Sequence, residues 1–182
     1  DQVIADESLE QILVCHHPSV VTLGKQTQDS DLMGWQGETV PIERGGRATY
    51  HGPGQVVVYP ILNLAARGRD LHRFLRQLEQ AAVDVLEHYG IKAHGEVPET
   101  GVWVGPKKIG SLGIAARRWV SYHGMAINLY FDPQAFQGIK PCGLQSGVMT
   151  SVEDQGVKVE RDDFEQRLTE RLEQLFSLGP IN

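Results

Sequence analysis

Val102-Trp103-Val104-Gly105-Pro106-Lys107-Lys108-Ile109-Gly110-Ser111-Leu112-Gly113-Ile114-Ala115 reads as two extended segments folded back on one another. β-Branched residues populate both halves, and Gly105-Pro106-Lys107 supplies the turn. Trp119 to Leu129 follows as another strand, with Tyr122, Gly124, Ala126 and Asn128 alternating against His123, Met125, Ile127 and Leu129. Connections this short are hairpin-like. They favour an α+β fold, with a mixed, largely antiparallel sheet and packed helices, over a doubly wound parallel sheet.

Working outward, Ile12 to Cys15 and Val20 to Leu23 read as strands flanking a turn at Pro18-Ser19. Val56 to Leu62 is a β-branched run in which Pro60 implies an edge strand or a strand end. Asp70 to Tyr89 is predicted as a helix. Leu71, Phe74, Leu75, Leu78, Ala82, Val85, Leu86 and Tyr89 fall on one stripe at 3.6-residue spacing. Asp70 is placed to cap its start and Gly90 to close its end. A last helix is predicted from about Asp163, burying Phe164, Leu168, Leu172, Leu175 and Phe176. Asp162 and Glu165 form a capping-box-like pair there, and Gly179-Pro180 ends it.

The chain of 182 residues suits one domain, here expected over 1–182, and shows no repeat or linker. Hydrophobic residues make up 41% and charged residues 22%, an ordinary globular mixture. A net charge of −6 argues against a general nucleic-acid partner. Apolar runs fall short of a membrane span, and the amino end shows no secretory signal. Two cysteines make no disulfide framework, which points to a cytoplasmic setting. The sequence starts at Asp1 and not at Met, so part of the amino end is expected to be missing.

Three segments offer chemistry. In Arg44-Gly45-Gly46-Arg47-Ala48-Thr49-Tyr50-His51-Gly52-Pro53-Gly54-Gln55, four glycines suit either a loop wrapping a ligand or two tight turns. The segment lacks the Lys-Ser/Thr of a P-loop and precedes a strand and not a helix, so neither phosphate-binding fingerprint fits. In Lys108-Ile109-Gly110-Ser111-Leu112-Gly113-Ile114, a Lys at a strand start is ordinarily a solvated edge charge. Gly110 and Gly113 weaken that reading, because a strand glycine often marks close approach of a ligand. In Lys140-Pro141-Cys142-Gly143-Leu144, the cysteine lies between Pro and Gly without apolar periodicity, which fits a thiol at a cleft. Cys15, inside a plain strand run, reads as structural. His51 and His123 each abut a glycine and suit either substrate contact or loop ordering. No His/Cys spacing matches a zinc site, so no metal is expected.

Taken in order, these segments resemble the lipoyl(octanoyl) transferases of bacteria and organelles, from about Gln11 to Phe176. The resemblance also rests on Tyr122-His123-Gly124, Asn128-Leu129 and Pro141-Cys142-Gly143. It implies the α+β fold of the biotin and lipoate protein ligases around an acyl-binding cleft. It further implies transfer of an octanoyl group from acyl carrier protein to a lysine of lipoyl domains, in 2-oxoacid dehydrogenases and the glycine cleavage H protein. Cys142 would then be the thioester nucleophile and Lys108 its activator. Arg44, Gly45, Gly46, Arg47, Ala48, Thr49, Tyr50 and His51 would line the substrate channel with Ser111, Leu112, Gly113, Gly124, Met125 and Ala126, and His123 is a further candidate. Cys15 departs from the Glu common at that position, Gly110 replaces the usual Ala or Cys, and the family's leading segment is largely absent.

An isolated thiol ionises near pH 8.5, so about a few per cent is thiolate at neutral pH. Lys108 would favour the thiolate as an ammonium, or take its proton as a neutral base. The expectation is a monomer with no bound cofactor, its acyl donor carried on the phosphopantetheine of acyl carrier protein. Arg67, Arg69, Arg73 and Arg76, with Lys107, Arg117 and Arg118, suggest a local basic patch for acidic partners. The alternatives are an ATP-dependent lipoate or biotin ligase on the same fold, a non-catalytic carrier-binding module, and a thiol hydrolase.

Overall fold

A computed structural model describes residues 9–95, 100–130, 132, 134–144 and 146–178. In chain order the strands and helices are β1 (Gln11–Cys15), β2 (Val20–Leu23), β3 (Glu38–Pro41), β4 (Thr49–His51), β5 (Gln55–Ile61), α1 (Leu71–His88), β6 (His94–Gly95), β7 (Val102–Val104), β8 (Lys107–Arg117), β9 (Val120–Asn128) and α2 (Arg161–Phe176). One-turn helices at Asp29–Asp31, Pro141–Gly143, Ser146–Val148 and Glu153–Gln155 punctuate the loops.

The main sheet runs β1-β5-β9-β8-β7-β6, every neighbouring pair antiparallel. A second sheet runs β3-β2-β4, with β2 parallel to β3 and antiparallel to β4. The fold is therefore α+β with a mixed, largely antiparallel sheet content. The β7–β8 turn is one residue tighter than the sequence suggested. Val104 already pairs with Lys107, leaving Gly105-Pro106 as the turn, with Gly105 at φ 54°. Arg118 and Trp119 make the β8–β9 turn, both at positive φ (50° and 66°), so Trp119 lies outside the strand.

Pro60 neither ends its strand nor puts it at an edge. β5 lies between β1 and β9 and continues to Ile61. The ladder to β9 stops at Val58–Met125, two residues before Pro60, so its missing N–H leaves no gap on that side. Pro60 O instead accepts from Ser121 Oγ at 2.7 Å.

α1 forms where its apolar periodicity placed it. Asp70 accepts from Arg73 N at 2.9 Å, and Gly90 follows at φ 78°. Leu71, Leu75 and Tyr89 are half-buried rather than core. α2 starts two residues earlier than expected and carries no side-chain cap. Asp162 is exposed, while Glu165 receives His16 and Arg161. Arg161 ties the helix start to the sheet through Pro53 O and Gln55 O. Ser177, at φ 52°, closes α2, and Gly179-Pro180 lies outside the described residues.

Both helices cover one face of the main sheet. Phe74, Leu78 and Leu86 of α1 and Phe164, Leu168 and Leu172 of α2 pack with Val56, Val58, Ile109, Met125 and Ile127. Each such side chain contributes about 1.5–3 kcal/mol by leaving water. A smaller core of Val21, Ala48, Tyr50, Phe136 and Ile139 supports the second sheet. The main sheet's remaining surface at β5, β8 and β9 faces the second sheet, and the site lies between them.

Candidate active site

Strand register builds the floor. Val57 pairs with Ala126, Ala126 with Ser111, and Gly113 with Gly124, so one patch of β5, β9 and β8 presents mostly small side chains. Thr49 and His51 of β4 close over it with Arg44, leaving a narrow slot of about 30 Å³ that Cys142 also lines. The glycines there are required by packing. A Cβ on Gly124 would overlap Val58 O and lie 2.9 Å from Pro60 Cδ, and one on Gly113 would lie 2.8 Å from Arg44 Cδ.

Cys142 occupies a one-turn helix at φ 56°, ψ 22°, a left-handed conformation uncommon for a residue with a Cβ. Its N–H donates to Ala48 O at 2.8 Å, and Lys140 N donates to Asp31 O at 2.8 Å. Asp31, fully buried, pairs with Arg47, whose guanidinium in turn lies against Gly143, where a Cβ would stand 2.6 Å from it. Two loops far apart in sequence thus hold the thiol half-buried between them.

Lys108 is not a solvated edge charge. It is 2% exposed, its Nζ donates to Thr100 O at 2.9 Å, and it sits 5.3 Å from the Trp103 ring centroid. Gly101 allows this approach, since a Cβ there would overlap Lys108 Cε. Glu79, buried in α1, accepts from Gly101 N at 2.8 Å and pairs with Arg76, so α1 fixes the segment that holds Lys108. Burial pushes the Glu79 carboxyl above its ordinary value, against the pull of Gly101 N–H, Arg76 and Lys108.

Lys108 and Cys142 line one cavity of about 360 Å³, together with Gly45, Gly46, Arg47, Leu75, Leu112 and Leu144 among others. Arg44, Leu112, Gly113 and Cys142 line both this cavity and the slot, whereas Ser111, Gly124 and Ala126 face the slot. Three residues expected in the channel point elsewhere. Met125 alternates with Gly124 and Ala126 along β9 and sends its side chain into the helix-covered core. Ala48 is buried in the smaller core, and Tyr50 packs edge-on against Phe136 and donates to Asp132 on the far side of β4.

Behind the slot the histidines gather around Tyr59. His17 Nε2 lies 2.9 Å from Tyr59 Oη, and the His123 ring meets the Tyr59 ring edge-on at 6.2 Å. Burial pushes Tyr59 up to about 12, and burial with the nearby Arg44 charge takes His51 down to about 4. His51 is thus a neutral ring at physiological pH. Its Nδ1 meets Gln55 Oε1 at 3.2 Å, Gln55 Nε2 donates to Asn128 Oδ1, and Asn128 Nδ2 donates to Thr150 O. Thr150 N then donates to Lys108 O at 2.9 Å, so one polar chain links the slot to the lysine's strand.

Sequence reasoning missed Asp31, Glu79 and Thr100. Glu79 carried a visible signal: it is a charge on the buried side of a strongly amphipathic helix. Among the described residues, no group of three or more His, Cys, Asp or Glu is placed to hold a metal ion, and no helix is long and apolar enough to cross a membrane. In the expected basic patch, Arg67 is paired with Glu10 and Arg76 with Glu79, while Arg69 and Arg73 are exposed.

A family model of the lipoyl protein ligase A/B catalytic domain matches residues 1–173. The octanoyltransferase of Bdellovibrio bacteriovorus is 46% identical, the match taking in 91% of this chain and 84% of that one. The octanoyltransferase of Caldanaerobacter subterraneus is 37% identical over 98% and 81%. Among solved structures, lipoate-protein ligase A bound with ATP aligns with a TM-score of 0.75 at 20% identity, over 96% of this chain and 76% of that one. Biotin protein ligase from Aquifex aeolicus aligns at 0.56 and 14% identity, over 86% and 68%. The fold is thus that of the lipoate and biotin protein ligases, and the chain belongs to the lipoyl protein ligase A/B catalytic-domain family. Within that family its curated relatives are octanoyltransferases, and it is an acyltransferase of that kind.

Proposed function

We propose that this chain carries an octanoyl group from acyl carrier protein to a lysine of lipoyl domains through a thioester on Cys142. The observation that carries the reading is the convergence of Cys142 and Lys108 on one cavity roomy enough for an acyl chain. The Cys142 thiolate attacks the carrier's thioester carbonyl, and the carrier's phosphopantetheine thiol leaves. The acceptor lysine, as a neutral amine, then attacks the Cys142 thioester and forms an amide, which is downhill without a nucleotide. Lys108 takes up the proton lost in each half-reaction, or balances the thiolate as its ammonium. Its hydrogen bond to Thr100 O and its place over Trp103 hold the amine on the cavity wall. The lipoyl domains of 2-oxoacid dehydrogenases and the glycine cleavage H protein are the acceptors this reading names.

The test supplies octanoyl-acyl carrier protein and an unmodified lipoyl domain with no ATP. Transfer is expected with the wild type, and Lys108→Met is expected to lower its rate by about 100-fold or more with the fold intact. Transfer that requires ATP and free octanoate would favour a ligase, and full activity in Lys108→Met would remove Lys108 from the chemistry.

A further inference from the structure

A thioester carbonyl under attack by Cys142 must place its developing negative charge somewhere. The backbone amides of the nucleophile's own turn are already engaged. Cys142 N donates to Ala48 O, Gly143 N to Lys140 O at 3.0 Å, and Leu144 N to Pro141 O at 3.0 Å. Across the slot, three buried side-chain atoms have no partner among the described residues: Thr49 Oγ1, Arg44 Nε and His123 Nε2. His123 stands on the Tyr59 side, and its Nε2 donates in only one of its tautomers, whereas Thr49 Oγ1 and Arg44 Nε always carry a hydrogen. Thr49 is 4% exposed and Arg44 is 6% exposed, and both line the slot with Cys142.

A buried donor without a partner is costly, so two of them lining one slot call for an acceptor that arrives with the substrate. Arg44 is also fixed in direction. Its Nη1 donates to Gly45 O and Arg47 O, and its Nη2 to Thr22 O and Thr22 Oγ1, all neutral oxygens. Gly113 leaves room for Arg44 Cδ beside it. Burial lowers the Arg44 pKa, and the neighbouring Cys142 and Tyr59 side chains oppose that pull. Thr49 pairs with Thr22 across β2 and β4, so both donors hang from one rigid strand pair.

We infer that Arg44 Nε and Thr49 Oγ1 form the oxyanion site, receiving the oxygen of the acyl thioester as Cys142 attacks it. This rests on the Cys142 thioester reading above. The Sγ–C bond forms while the carbonyl π pair moves onto oxygen, where the two donors hold it. On collapse the pair returns, and the C–S bond to the carrier breaks. The carrier sulfur leaves with that bond's electrons and takes the proton Cys142 gave up. Donors already aimed at the oxyanion need no reorganisation in the transition state, which is where such groups act most strongly.

Thr49→Val is the discriminating variant, because it keeps the shape and removes a hydroxyl that nothing accepts in the resting fold. Single-turnover acylation by the octanoyl thioester of pantetheine is followed by intact mass. At saturating thioester, Thr49→Val is expected to acylate about 10- to 100-fold more slowly than wild type. Its half-saturating concentration should change by less than about twofold and its melting temperature should not fall, since the lost group made no bond in the resting fold. Thr49→Ser, which restores the hydroxyl, is expected to recover most of the rate, and Thr49→Ala serves if the valine variant fails to fold. A folded Thr49→Val or Thr49→Ala that acylates within about threefold of wild type overturns the oxyanion assignment while leaving the Cys142 thioester in place. A wild-type protein that never acylates sinks the thioester reading itself, and this assignment with it.

Discussion

His51 shows how a motif residue can matter without touching the chemistry. It is buried against Arg44, and those two influences keep its imidazole neutral, with its pKa lowered from 6.5 to about 4. The depressed folded value sets the sign. Between those pH values the unfolded chain binds a proton that the native state refuses, so stability present above pH 6.5 is lost as pH falls toward 4. The loss amounts to about 3 kcal/mol at most. Urea unfolding at pH 7 and pH 4.5 should therefore show a smaller gap for His51→Gln than for wild type. Equal gaps would mean that the ring is not buried as described. The motif residues Gln55 and Asn128 belong to the same chain of hydrogen bonds, which ends on the backbone of Lys108's partner loop. Their residue types were visible in the sequence, but this connection depends on a β5–β9 register that the sequence does not display.

At the scale of elements, the β8–β9 hairpin carries the site because its slot-facing residues are small. Gly124 is the sharpest case, since the atom that would meet its Cβ is the backbone oxygen of Val58 and cannot rotate away. Gly124→Ala should cost about 1–3 kcal/mol in urea unfolding and slow acylation by pushing β5 from β9. An unchanged midpoint would show that the sheets are looser than their register implies. α1 and the β7–β8–β9 run were legible in advance, because 3.6-residue and two-residue periodicities survive in a single sequence. β4 was not. Three residues between glycine clusters give too little alternation to tell a strand from a turn, and β3 is exposed along its length. Pro60 misled for a related reason: the rule that removes it from sheet interiors assumes a ladder on both sides, and the β9 ladder stops before reaching it.

For the whole molecule, the sequence gives residue types and the fold gives their meeting. Lys108 looked like an edge charge until Thr150, Thr100 and Glu79 closed around its strand, and the Thr150 and Glu79 contacts come from distant parts of the chain. Cys142 likewise depends on Ala48 and Asp31, which hold its loop against the second sheet. Resemblance to a family supplied the expectation that the lysine and cysteine act together. Intact mass after incubation with octanoyl-acyl carrier protein, wild type beside Cys142→Ala, tests the Cys142 thioester at the centre of that expectation most directly. A single octanoyl adduct on the wild type, removed by hydroxylamine and missing from the variant, is the predicted result. Transfer to the lipoyl domain with no adduct on the wild type, or with an adduct that survives in Cys142→Ala, would contradict it.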